Sequence, residues 1–124
     1  MERKYSFENL EVWKDARNFV VDVYTLTKTM PEHEKYGLCS QIQRASVSIA
    51  SNIAEGTSRT TDKEKIRFIE IAYGSLMEVY CQFYLALDLE YITKEQFESQ
   101  KSAVDKVAIK LSALKNAYKK RLND

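Results

Sequence analysis

Four polar residues share one arc of a helix-length segment: Arg44, Ser48, Asn52 and Glu55, with Gln41 just before them and Arg59 just after. Spacings of three and four residues make such side chains neighbours on a helix surface. They overlap the stretch SIASNIAEG (48–56), in which Ile49 and Ile53 mark a buried face on the same turns. Gln41, Arg44, Ser48, Asn52, Glu55 and Arg59 can therefore act in two ways. They can form a hydrogen-bonded network that fixes the 56–61 loop and packs this helix on the next, or they can contact a ligand or RNA. Residue types leave both open, because guanidinium, amide, hydroxyl and carboxylate groups satisfy one another as readily as they bind a polar ligand.

Catalytic chemistry has little to build on. The single histidine, His33, lies in PEHEK with no second His or Cys at metal-ligand spacing. Cys39 and Cys81 lack CxxC spacing and a histidine to activate either, so both read as reduced packing residues. There is no phosphate-cradling glycine loop, no nucleophile elbow and no Glu-x-x-His pair for a di-iron bundle. The expectation is a protein with no enzymatic activity, cofactor or metal.

Charge points elsewhere. The net charge is +1, yet residues 62–90 carry three Lys/Arg against six Asp/Glu and residues 91–124 carry eight against four. An acidic segment followed by a basic one predicts complementary faces within or between chains. Lys106, Lys110, Lys115, Lys119, Lys120 and Arg121 lie on the outer face of the last segment and are the candidate contacts to RNA or DNA phosphates. No stretch of eighteen uncharged apolar residues occurs, and MERKYSFENLEVWKD has no apolar signal-peptide core. A cytoplasmic location with no membrane partner is expected.

The elements that must position these residues are helices. Three Gly and one Pro among 124 residues favour a few long elements. Val12, Ala16, Phe19, Val23, Leu26 and Met30 alternate steps of four and three, a helical period. Ser6 is the expected N-cap and Pro31 the stop. Leu38, Ile42, Ala45, Ile49 and Ile53 form the next stripe, and Gly56 is expected to end it in a left-handed conformation. Thr61 with Glu64 and Thr93 with Gln96 have capping-box spacing. The predicted helices are 7–29, 32–55, 62–90 and 94–121. Short connections make neighbours antiparallel, so the fold class is all-α: one antiparallel up-down-up-down four-helix bundle over residues 1–124.

The third helix shows two apolar seams about 120° apart. One contains Ile69, Leu76 and Phe83; the other contains Phe68, Ala72, Ser75, Val79 and Leu89. If one seam serves the bundle, the second is free for another subunit. Phe68, Ala72, Ser75, Val79 and Leu89 are therefore the expected oligomer contact.

FENLEVWKDA, PEHEKYGLCSQIQRASVSIASNIAEG and FIEIAYGSLMEVYCQ together resemble the 23S rRNA-intervening-sequence protein family, also called the four-helix bundle protein family. The most specific matches are Gln41, Arg44, Ala45, Ser48, Ile49 and the run from Asn52 to Gly56, followed by Ala72, Gly74, Ser75 and Glu78. Gln43, Ser46 and Ala50 depart mildly from the family's pattern. The resemblance implies a small bacterial protein, a four-helix bundle and a ring-like homopentamer, and it implies no catalytic activity. A more distant similarity runs to nucleic-acid-binding accessory proteins of diversity-generating retroelements. The functional expectation is a non-enzymatic, oligomeric accessory or scaffold protein associated with nucleic acid. The alternative is a protein-interaction scaffold without nucleic-acid affinity.

Overall fold

The computed structural model describes residues 4–123. Its long helices are α1 (Glu11–Thr27), α2 (Leu38–Thr57), α3 (Asp62–Asp88) and α4 (Lys94–Asn123), with 3-10 turns at Ser6–Asn9 and Glu32–Glu34. Both α1 and α3 pack on α2 and α4, so each helix has two neighbours around a square, and the α2–α3 edge is the most extensive. This is the expected antiparallel four-helix bundle. No helix among the described residues is long and apolar enough to cross a membrane.

The helix ends differ from expectation for local reasons. The expected helix 7–29 is divided: Ser6–Asn9 is a separate turn closed by Tyr5 N–H donating to Glu8 Oε1 at 2.9 Å, and extended Leu10 precedes α1. Ser6 is therefore the first residue of that turn, with Tyr5 at the cap position, and not the N-cap of α1. In the second helix, Glu34 folds back to accept the Leu38 N–H at 3.1 Å, which delays α2 to Leu38. Gly37 permits this, because a Cβ there would sit 2.6 Å from Glu34 Oε1. Gly56 does not end α2 in a left-handed turn; the helix continues to Thr57. Its role is close approach, since a Cβ at Gly56 would lie 3.0 Å from Phe68 Cβ on α3.

The left-handed residue is Glu90, with φ of 63°. Tyr91 N–H reaches Ala86 O at 2.8 Å and Glu90 N–H reaches Leu87 O at 3.0 Å, the bond pair that closes a helix with a left-handed cap. Thr61 accepts the Glu64 N–H at 3.2 Å to start α3. Thr93 and Gln96 make both bonds of their capping box, at 3.1 and 2.8 Å, to start α4.

Phe19 of α1 meets Phe83 of α3 edge-on across the square, ring centroids 6.2 Å apart. Ile42, Ile49, Leu76 and Leu111 belong to the same core cluster and are fully buried. The two seams of α3 are both used inside the subunit. Ala72 and Val79 are 0% exposed, and the small side chains on that line suit the extensive contact with α2. The expected oligomer contact is therefore corrected: Ala72 and Val79 lie in the subunit's own core, Phe68 and Ser75 are half-buried, and only Leu89 is exposed. A helix at the corner of a square has two neighbours, and two seams are what it needs.

Two stability predictions follow from this packing. Leu76→Ala should cost about 2–5 kcal/mol in urea denaturation, because its site is closed on all sides. Glu90→Gly should gain about 0.5–1 kcal/mol, because it relieves a side chain held at positive φ on the surface.

Candidate functional site

The polar strip of α2 divides into three parts. In its centre, the Ser48 and Ser75 hydroxyls are 2.9 Å apart and join α2 to α3. Asn52 Nδ2 donates to Ser48 O at 2.8 Å and to Ser48 Oγ at 3.0 Å. Towards the α2–α3 connection, Glu55 and Arg59 form an exposed pair at 3.5 Å, and the Arg59 guanidinium lies 4.5 Å from the Phe68 ring centroid. The connection is fixed by other groups, Lys65 Nζ donating to Thr57 O at 3.0 Å and Ser58 Oγ to Glu55 O at 2.7 Å. Among the described residues no continuous network runs from Arg44 to the loop.

At the other end of the strip, Gln41 and Arg44 stay exposed. With Ala45, Ser48, Ser75 and Glu78 they line an open groove of about 430 Å³ between α2 and α3. Arg44 has no ion-pair partner among the described residues. Gln82, 5% exposed, donates to Glu78 Oε2 at 3.3 Å and leaves its own Oε1 without a partner. The sequence reading missed Glu78 as Arg44's neighbour across this groove, because the pairing of α2 with α3 is a tertiary fact.

The chemistry-bearing side chains are built into the fold. His33 Nε2 is 3.2 Å from the Tyr91 hydroxyl, which donates to Glu34 Oε2 at 2.8 Å. The Leu38 N–H and then the Tyr91 hydroxyl hold the Glu34 carboxyl below the usual carboxylate range, and the same bond raises Tyr91. Cys39 is buried with its thiol pushed up, first by burial and then by the Glu34 charge. Cys81, expected to be a packing residue, is instead exposed on α3. Among the described residues no group of three or more His, Cys, Asp or Glu is placed to hold a metal ion.

The basic face of α4 is largely neutralised within the chain. Lys110 Nζ reaches Asp15 at 2.6 Å and Glu11 at 3.1 Å, and Lys106 reaches Asp15 at 3.4 Å. Lys115 pairs with Glu70 at 2.9 Å, and Arg121 pairs with Asp62. Four of the six candidate nucleic-acid contacts thus tie α4 to α1 and α3. Lys119 and Lys120 are exposed and have no such partner among the described residues.

The outward face of α3 carries a line absent from the expected contact. Ile71, Gly74, Glu78, Cys81 and Leu85 alternate steps of three and four and are all exposed, with Ile71 at 42% and Leu85 at 47%. A Cβ built at Gly74 would meet nothing within 4 Å. This third line has heptad spacing too, but its acidic and small members hide it from a search for apolar stripes.

A model of the 23S rRNA-intervening sequence protein matches residues 8–113. The chain belongs to that family. The chain is also similar, at 27% identity and a TM-score of 0.78, to a solved protein of unknown function from the S23 ribosomal protein family of Bacteroides thetaiotaomicron. The match covers 83% of this chain and 96% of that one. No curated protein matches it.

In this family member the Asp15–Lys110 pair gives a pH prediction. Burial raises the Asp15 carboxyl, but the hydrogen bond and charge of Lys110, then those of Lys106, outweigh it and hold the group below its ordinary 3.8. Such a carboxyl adds stability above its unfolded-state pKa and loses it as pH falls through the lower folded-state value. Asp15→Asn should therefore be less stable than the parent at neutral pH, with the gap closing below about pH 4. Urea denaturation across a pH series measures this, and a gap independent of pH would assign the loss to packing.

Proposed function

We propose that this chain is a non-enzymatic accessory protein that works as an assembly of identical subunits and serves nucleic acid. The outward face of α3 carries the reading: an exposed line of Ile71, Gly74, Cys81 and Leu85, continued by Leu89 at 53% exposure. An exposed, largely apolar line of this kind favours burial against a partner. Open space at Gly74 lets a neighbouring backbone approach; Glu78 lies within the line and Arg44 beside it across the α2–α3 groove, one charge of each sign. A second copy meets both conditions, since it brings an apolar line and one charge of each sign. A contact between two different patches closes into a ring, and the resemblance to the family sets the expected number at five.

That Lys119 and Lys120 have no ion-pair partner among the described residues supports nucleic acid as what the assembly serves, because a ring repeats each such cation around its axis. The non-enzymatic part is supported by the engagement of His33 with Tyr91 and by the burial of Cys39.

Sedimentation or light scattering tests the assembly. The expected mass is a multiple of the 14.4 kDa chain, and a 14.4 kDa species at micromolar concentration overturns the proposal. Leu85→Arg should release monomers that keep their helical circular dichroism. Val79→Arg should instead unfold the subunit, because Val79 is in its core. A Leu85→Arg variant that remains fully assembled would move the contact to another face.

A further inference from the structure

The two ends of the bundle carry opposite charge. At one end the α2–α3 connection and the start of α3 lie beside the last turns of α4, a juxtaposition fixed by Arg121 with Asp62 and by Lys65 over the Tyr118 ring at 5.8 Å. Residues 57–67 and 115–121 hold eight Lys/Arg against two Asp/Glu. At the other end the Tyr91 hydroxyl brings the α3–α4 turn against His33 and Glu34. Residues 28–37 and 88–98 there hold three Lys/Arg against six Asp/Glu.

Within the basic end the cations differ in what they do. Arg59 and Arg121 are paired with carboxylates, and Lys65 donates to Thr57 O. Lys63, Arg67, Lys119 and Lys120 are exposed and have no ion-pair partner among the described residues. A cation without an internal partner keeps its full charge for an incoming anion, whereas a paired one must first give up a contact. The aromatic rings at this end already carry cations: Arg59 lies over Phe68 at 4.5 Å, and Arg121 over Tyr118 at 4.9 Å. Base stacking needs an open ring face, and these two rings are occupied.

We propose that the basic end of the bundle is a nucleic-acid phosphate-binding surface formed by Lys63, Arg67, Lys119 and Lys120, gripping the sugar–phosphate backbone without reading bases. It rests on the nucleic-acid part of the function proposed above and replaces the α4 flank of Lys106, Lys110 and Lys115 as its location. Four phosphate contacts per subunit give log K against log salt a slope of roughly −3.6 on a duplex, and an assembly multiplies the number of contacts.

Fluorescence anisotropy with the full chain tests this, using labelled single-stranded RNA, single-stranded DNA and duplex DNA of several mixed sequences over a salt series. Binding should depend steeply on salt and little on sequence. Lys119→Gln with Lys120→Gln, and separately Lys63→Gln with Arg67→Gln, should each weaken it by roughly tenfold and reduce the salt slope by about 2 per engaged subunit. Lys101→Gln with Lys106→Gln removes the same charge from the flank and should leave affinity within about twofold of the parent. All six residues are surface groups, and unchanged thermal melts check that each variant is folded.

If the parent binds and the end variants bind equally well, or the flank variant loses as much, the location is wrong while the nucleic-acid reading stands. If the parent binds neither RNA nor DNA, both fail. Strong sequence dependence would overturn backbone-only recognition, and equal competition by polyglutamate would reassign the surface to an acidic protein. A difference between the RNA and DNA arms identifies which backbone the end accepts.

Discussion

The closeness of α2 to α3 is the constraint on which the other features depend. Gly56 faces Phe68 with no room for a side chain at ordinary contact distance. Ser48 meets Ser75 hydroxyl to hydroxyl, and Ala72 is sealed from solvent. Larger groups along this line would push the helices apart, because a packed interior has no space to absorb them. The hydroxyl pair adds direction to the contact, since each Ser loses a partner if the helices slide past one another.

Once α2 and α3 are held at that distance, the remaining geometry follows. One line of α3 faces α2, a second faces α4 and the centre, and the third is left outward with Ile71, Gly74, Cys81 and Leu85. The groove bearing Arg44 and Glu78 is the solvent side of the same contact. The surface offered to a partner is therefore a by-product of how the core closes.

Charge is divided in the same manner. Along the sides of the bundle, lysines of α4 meet carboxylates of α1 and α3, and Asp15 takes two of them at once. These contacts set the rotation of α4 against its neighbours but leave little free positive charge there. At the ends the helices have fewer neighbours, so Lys63, Arg67, Lys119 and Lys120 remain unpaired among the described residues while the opposite end stays acidic. A chain with net charge +1 thereby becomes strongly polarised.

Much of the fold was legible in the linear pattern. Steps of three and four placed Phe19, Ile49 and Leu76 on buried faces, and Thr93 with Gln96 marked the start of α4. Those signals are local: periodicity and caps depend on residues within a turn or two. Two other helix ends were misjudged, because residue type there did not reveal which group would take the bond. Glu34 delays α2 through a side chain that folds back, and Glu90 takes the left-handed conformation usually given to glycine because Tyr91 must reach Ala86. By itself the sequence determined an all-α bundle, its four helices, its core line and the total charge. Only the tertiary structure decided that Val79 faces inward, that Ser48 reaches across to Ser75 while Arg44 has no ion-pair partner among the described residues, and that Lys110 is paired while Lys119, among those residues, is not. The physical reason is that side chains on one helix face are equivalent along the chain, and only the neighbouring helix makes them different.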